Sequence, residues 1–169
     1  DNIPSTELNT RWTSDKDGDL GTGAITSGGE ISFAYDALSI NDHVISLIVE
    51  DELGSTCQDS IFLSIGTLPT VSIDNPLDGE VYSVGEPIVF EGTATDLEDN
   101  PNDISVVWSS SIDGEIHSGN VNSQNISQFS SSSLTAGVHS ISFEATDSTG
   151  LTSSDMISFR VNTPPSAPT

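Results

Sequence analysis

The stretch from Thr95 to Asp103 reads TDLEDNPND. It places Asp96, Glu98, Asp99 and Asp103 beside Asn100 and Asn102, with no lysine or arginine among them. Carboxylates and amide carbonyls at that density are the chemistry of a hard cation. Calcium takes six to eight oxygens from such groups and from backbone carbonyls. Asp147 lies in a second acidic turn, TDSTG (Thr146–Gly150), and is a further candidate. The expected ligand set is therefore Asp96, Glu98, Asp99, Asp103 and Asp147, with calcium as the ion. Without a cation these charges repel, by about 4 kcal/mol for two charges ~4 Å apart at an effective dielectric of 20. The competing role is ordinary turn formation, in which Asp and Asn side chains imitate a backbone turn.

Other residues with chemical potential carry less. DKDGDLG (Asp15–Gly21) has the look of a calcium loop, but Gly18 precedes Asp19 and loop position twelve is Thr26 rather than glutamate. An Asp-Gly hairpin turn is the better reading. His43 and His139 start equivalent strands and are expected to pack or cap a turn. His117 has no counterpart. Serine, histidine and aspartate are all present, but no G-x-S-x-G nucleophile elbow occurs, and no catalytic residue is assigned. Asn125-Ile126-Ser127 fits the N-glycosylation pattern. Cys57 is the only cysteine, so no internal disulfide holds the fold.

The chain carries 26 acidic and 3 basic side chains, a net charge of −23. That balance argues against nucleic acid and against anionic membrane surfaces, which both require basic patches. No apolar run approaches the ~20 residues of a membrane span. Cations, or surfaces bridged by them, are the expected partners. Such acidity also suits a secreted product or a salty habitat.

The elements that position these residues come in two copies. WTSDKDGDLGTG begins at Trp12 and WSSSIDGEIHSG at Trp108, 96 positions later. The same spacing relates Phe33 to Phe129, Leu38 to Leu134, His43 to His139, Asp51 to Asp147, Ile61 to Ile157 and Pro69 to Pro165. A spacing kept without a gap is the mark of tandem modules. The expected division is 1–68 for a first module lacking its N-terminal strands, 69–165 for a complete one, and 166–169 for the start of a further linker. The chain reads as a window cut from a longer array. The absent strands would come from upstream residues or from another chain.

Each module reads as β. TVSI (Thr70–Ile73), PIVFEGTAT (Pro87–Thr95), ISVVW (Ile104–Trp108), HSISFEAT (His139–Thr146) and DMISFRV (Asp155–Val161) alternate apolar and polar residues. Asp78-Gly79, Asp113-Gly114, Ala136-Gly137 and Thr149-Gly150 mark turns between them. The period of two puts Ile88, Phe90 and Ala94 on one inward face, Ile141, Phe143 and Ala145 on another, and Ile157, Phe159 and Val161 on a third. Trp108 is expected at the centre of an antiparallel β-sandwich, with Trp12 as its counterpart.

The phrase W-[ST]-S-x-x-D-G-x-[IL]-x-x-G, followed by G-x-H-x-I and a strand ending T-D-S-x-G, resembles tandem immunoglobulin-like modules of the PKD and cadherin-like kinds. These recur in large prokaryotic surface proteins and adhesins. The resemblance implies an all-β chain of tandem immunoglobulin-like antiparallel β-sandwiches, located outside the cell or on its surface. It implies a non-enzymatic structural repeat of an adhesin, stalk or filament, with calcium stiffening the module junctions. Asp15, Asp17, Asp19, Asn41 and Asp42 of the first module face that junction in this reading. The partners would be neighbouring modules of the same protein, or other copies of the chain in a filament. The alternative is a carbohydrate- or ligand-binding accessory module of a secreted protein, which calls for coplanar exposed aromatics. Lysine–asparagine crosslinks of surface modules are ruled out in the second module, which has no lysine.

Overall fold

The computed structural model describes residues 7–164; the linker expected over 166–169 and the first residues of the chain lie outside them. The chain divides after Gly66 into two compact units. Among the described residues the regular structure is β, apart from short 3-10 turns such as Pro101–Asp103.

The second unit builds its core from eight strands: β7 (Thr70–Asn75), β8 (Val81–Ser83), β9 (Ile88–Thr95), β10 (Ser105–Ser110), β11 (Gly114–Asn120), β12 (Ile126–Ser131), β13 (Gly137–Thr146) and β14 (Thr152–Asn162). They form a five-stranded sheet in the order β11-β10-β13-β14-β8 and a three-stranded sheet in the order β12-β9-β7. The first strand is thus split. β7 pairs antiparallel with β9, and β8 crosses to pair with β14, the one parallel ladder among the described strands.

The alternation expected from the sequence sets the core. Ile88, Phe90 and Ala94 face Val106, Trp108, Ile141, Phe143, Ala145, Phe159 and Val161 in one buried cluster, with Ile157 half-buried against it. Trp108 is fully buried and stacks on Phe143 with ring centroids 4.4 Å apart. Phe90 stacks on Phe129 at 4.7 Å. Side chains of this size contribute about 1.5–3 kcal/mol each when fully buried. Gly92 admits this packing: a Cβ there would stand 2.8 Å from both Phe143 and Trp108.

The first unit repeats part of the plan. Its strands β1 (Asn9–Ser14), β2 (Gly18–Gly21), β5 (Asn41–Glu50) and β6 (Thr56–Ile65) form one sheet in the order β2-β1-β5-β6. Between them, β3 (Ala24–Ile25) and β4 (Ile31–Ser32) make a separate two-stranded pair. Trp12 lies opposite Leu47, as Trp108 lies opposite Phe143. Both units share a bulge immediately after the tryptophan and an Asp-Gly hairpin, with Gly18 at φ 77 and Gly114 at φ 74. Glycine suits that left-handed turn position because it has no Cβ to clash. The described part of the first unit has no counterpart of β7, β8 and β9.

Candidate functional site

The acidic stretch follows β9 and leads through the 3-10 turn into β10. Its acids are held largely by the chain's own donors. Asp96 Oδ1 accepts from the backbone N–H groups of Glu98 and Asp99, at 2.9 and 3.2 Å. Glu98 Oε2 accepts from the Thr67 hydroxyl at 2.7 Å. Asp99 takes both the N–H and the hydroxyl of Ser148, at 2.8 and 2.6 Å, and so ties this loop to the turn between β13 and β14. In that turn Asp147 Oδ1 accepts from Thr149 N–H, Thr149 Oγ1 and Leu151 N–H. Asp103 Oδ2 accepts from the Asn100 side-chain amide at 3.4 Å, and the Asp103 N–H donates to the Asn100 carbonyl at 2.9 Å.

Among the described residues, no three His, Cys, Asp or Glu side chains stand together in the geometry of a metal centre. Asp99 and Asp147 meet at one turn but serve different donors. Asp96 and Glu98 are the exception. Asp96 Oδ2 is buried and has no hydrogen-bond partner. Burial pushes the Asp96 carboxyl above its ordinary range, and the adjacent Glu98 carboxylate adds to the rise, against the two backbone N–H groups. Glu98 is held below its ordinary range, chiefly by the Thr67 hydroxyl. A desolvated carboxylate oxygen beside a second carboxylate is a place where a cation or a proton is favoured. Thr67, Leu68, Thr70, Thr95 and Leu97 line a shallow cleft of about 360 Å³ onto which Asp96 opens.

A second polar constellation occurs once in each unit. Ser110 Oγ lies 2.8 Å from His139 Nδ1, and His139 Nε2 lies 2.8 Å from the Thr135 carbonyl. Ser14, His43 and the Ser39 carbonyl repeat this at 2.8 and 2.7 Å. A carbonyl only accepts, so Nε2 carries the hydrogen. The serine oxygen accepts two backbone N–H groups, from Ile112 and Asp113 or from Lys16 and Asp17, and has its own hydrogen to give to Nδ1. Asp113 and Asp17 bond the hydroxyls of Thr135 and Ser39 and stand 3.7 and 3.8 Å from the same Nδ1.

A serine–histidine–aspartate triad needs serine and aspartate on opposite ring nitrogens. Here both approach Nδ1, and the serine and both histidines are buried. The constellation ties two loops to the sheet. Beyond the expected packing or capping of a turn, His43 and His139 each join the serine before the hairpin to a loop carbonyl. Their signal was available: S-x-x-D-G and [ST]-x-x-x-H recur at the 96-residue spacing.

No protein-family model matches the sequence, and no curated protein matches it significantly. Solved structures do. The fibronectin(III)-like modules of Clostridium thermocellum CbhA superpose with a TM-score of 0.51 at 15% identity, covering 96% of this chain and 81% of that one. The fold is immunoglobulin-like. Domains 4 and 5 of the S-layer protein SbsC match at a TM-score of 0.34 and 12% identity, over 94% of this chain and 72% of that one. The two immunoglobulin domains of DIP-gamma match at 0.37 and 13%, over 93% and 84%.

Two further features of the immunoglobulin-like units bear on binding. Asn125 adopts φ 65, and the Ser127 hydroxyl of the same glycosylation pattern is buried, accepting from Trp108 Nε1 at 3.0 Å. Among the described residues, the large exposed apolar side chains include two aromatics, Tyr35 and Phe62. They come from a loop and from β6, and Tyr35 stacks on Phe33.

Proposed function

We propose that this chain is a non-enzymatic structural repeat of a long extracellular adhesin, stalk or filament, with calcium stiffening the pole where the chain enters each unit. The observation that carries this reading is the duplication itself. The same sheet, bulge, hairpin and histidine tie recur at one spacing in two immunoglobulin-like units. What is repeated is scaffold. The serine of the tie has its oxygen filled and its hydrogen committed, so it presents no nucleophile. A net charge of −23 keeps such an array soluble and disposes it toward cations.

Asp96 supports the calcium part of the reading. Asp96 Oδ2 and the Glu98 carboxylate would be the first ligands. Asp103 and Asp147 would contribute the carboxylate oxygens not filled by Asn100 and the Thr149–Leu151 turn, and Asp99, both of whose oxygens accept from Ser148, would contribute a remaining lone pair. Because Glu98 also holds Thr67, an ion there would fix the direction in which the chain joins the second unit, and so stiffen the junction. Extracellular sites of this kind bind calcium with dissociation constants of about 10⁻⁴–10⁻³ M. At ~10 times that concentration, one site raises stability by about 1.4 kcal/mol.

Melting and small-angle scattering of the intact chain, with calcium and then with chelator, test this. Calcium is expected to raise the melting temperature and narrow the spread of chain dimensions, and Asp96→Asn is expected to remove both effects. Identical curves in calcium and chelator would leave the acidic stretch as a turn held by its own hydrogen bonds.

A further inference from the structure

Each histidine tie buries a titratable ring. His139 is fully buried, and its two ring nitrogens face different kinds of partner. Nε2 gives its hydrogen to the Thr135 carbonyl, 2.8 Å away. Nδ1 takes the hydrogen of Ser110 Oγ, also at 2.8 Å. In this arrangement the ring is neutral.

A proton added at Nδ1 would find no acceptor in Ser110. A hydroxyl oxygen has two lone pairs. Those of Ser110 already hold the N–H groups of Ile112 and Asp113, both at 3.2 Å. Asp113 Oδ2, however, stands 3.7 Å from the same Nδ1. A charged N–H to carboxylate bond spans about 2.7–2.9 Å, so a side-chain movement of roughly 1 Å completes it. In the neutral state that carboxylate is engaged elsewhere. It accepts the Thr135 N–H at 3.2 Å and Thr135 Oγ1 at 2.8 Å. The Asp113 side chain is 19% exposed and so gives the ring a path to water.

The rest of the surroundings suits a cation. Phe159, opposite His139 on the ladder, stacks on the ring with centroids 5.6 Å apart. An aromatic face favours a cation within about 6 Å. Ser110 on β10, Thr135 in the loop and Phe159 on β14 carry no charge. Beyond Phe159 stand Tyr82, edge-on to it, and Glu80, which accepts the Tyr82 hydroxyl. Arg160 follows Phe159 on the strand and is exposed on its other face.

We propose that Ser110, Asp113, Thr135 and His139 form an acid-responsive switch: a proton taken up at Nδ1 transfers the ring from the Ser110 hydroxyl to the Asp113 carboxylate, which releases the Thr135 N–H and hydroxyl. The hairpin then grips the ring by charge. The loop between β12 and β13 keeps one attachment to the site, through the Thr135 carbonyl. The first unit repeats every part of the device in Ser14, Asp17, Ser39 and His43, including the carboxylate that holds both the N–H and the hydroxyl of the loop residue.

Ring and amide magnetic resonance of the intact chain tests the switch, followed from about pH 8 to about pH 4, across the histidine range. His139 is expected to take up its proton in step with faster exchange at the Thr135 amide. Asp113→Asn is expected to move the midpoint of that titration down by about one pH unit or more, and to uncouple the Thr135 amide from it. Thr135→Val frees one Asp113 oxygen at an exposed position and is expected to move the midpoint up. His43 is a reference within the same molecule that neither variant moves. A His139 ring that stays neutral until the chain unfolds would overturn the proposal. So would a midpoint indifferent to Asp113→Asn, or a Thr135 amide that does not follow the ring, since the tie would then be a fixed brace. If Asp113→Asn does not fold, Thr135→Val and the Thr135 amide of the unaltered chain decide the matter alone.

Discussion

Trp12 and Trp108 hold the same position in a duplicated frame, on equivalent strands and beside equivalent neighbours. Trp108 is fully buried, stacked on Phe143 and bonded to Ser127. Trp12 is partly exposed, stacks on Phe33 at a 6.0 Å centroid separation, and has no hydrogen-bond acceptor. The strand sequences differ little in apolar pattern, so local propensity does not separate the two environments. The difference comes from the second layer. A sheet folds one face inward only when something of matching shape lies against it. The second unit has that layer and the described part of the first does not. The histidine ties teach the converse. They are built from the hairpin, one sheet strand and one loop, all present in both units, and their distances agree within 0.1 Å.

The largest effect should fall on the tryptophans. Trp108→Ala removes the centre of a closed core and is expected to cost about 3–5 kcal/mol. Trp12→Ala, on the open face, should cost much less. Urea unfolding followed by strand-specific exchange separates the two units, and equal costs would break the comparison. Next come the ties. His139→Ala strands the Ser110 hydroxyl and the Thr135 carbonyl, at about 1–3 kcal/mol. His43→Ala should cost its own unit a similar amount, because here the two copies are alike. A large disparity would show that the outer layer supports the tie as well.

Gly92→Ala sharpens the contrast from the side of the covering sheet. Its methyl group would press on Trp108 and Phe143, and overpacking of this kind costs about 1–3 kcal/mol. Differential scanning should show the loss in the second unit alone.

The smallest effect is electrostatic. Asp96 has a folded pKa raised above its ordinary 3.8, mainly by burial. As pH falls from neutrality toward that value, the folded state takes up this proton before the unfolded state does, so this group's contribution to stability rises. Glu98 runs the other way: its folded pKa is lowered, so its contribution is present above 4.5 and is lost as pH falls through the folded value. In chelator, Asp96→Asn should therefore remove the gain in stability that this group gives the unaltered chain as pH falls toward its folded pKa. A gain left unchanged would mean that water reaches Asp96 Oδ2.

Much of the fold was legible in the sequence. Period-two alternation placed Ile88, Phe90, Ala94, Ile141, Phe143 and Ala145 inward, because a strand has only two faces and one of them must be dry. The duplication located Trp12 and Trp108. The split of the first strand was not legible: the parallel pairing of β8 with β14 depends on a crossover after Asn75 that leaves no periodic trace. Nor was the tie, since Ser110 and His139 meet across 29 positions and only their joint recurrence marks them. The acidic stretch shows the limit most clearly. Composition brought Asp96, Glu98, Asp99, Asp103 and Asp147 to notice as one group. Which oxygens the backbone and hydroxyl donors already fill is a matter of loop geometry, and only Asp96 Oδ2 emerges buried without a donor.

Native-state hydrogen exchange of the unaltered chain, at concentrations where it is monomeric, tests the central contrast most directly. Amides 139–145 of β13 and 43–49 of β5 occupy equivalent ladder positions in the two sheets. The β13 amides are expected to exchange at least ~100-fold more slowly, because opening them requires breaking a closed core. Equal protection in the two strands would contradict the account, since it would mean that the first unit is already a closed sandwich.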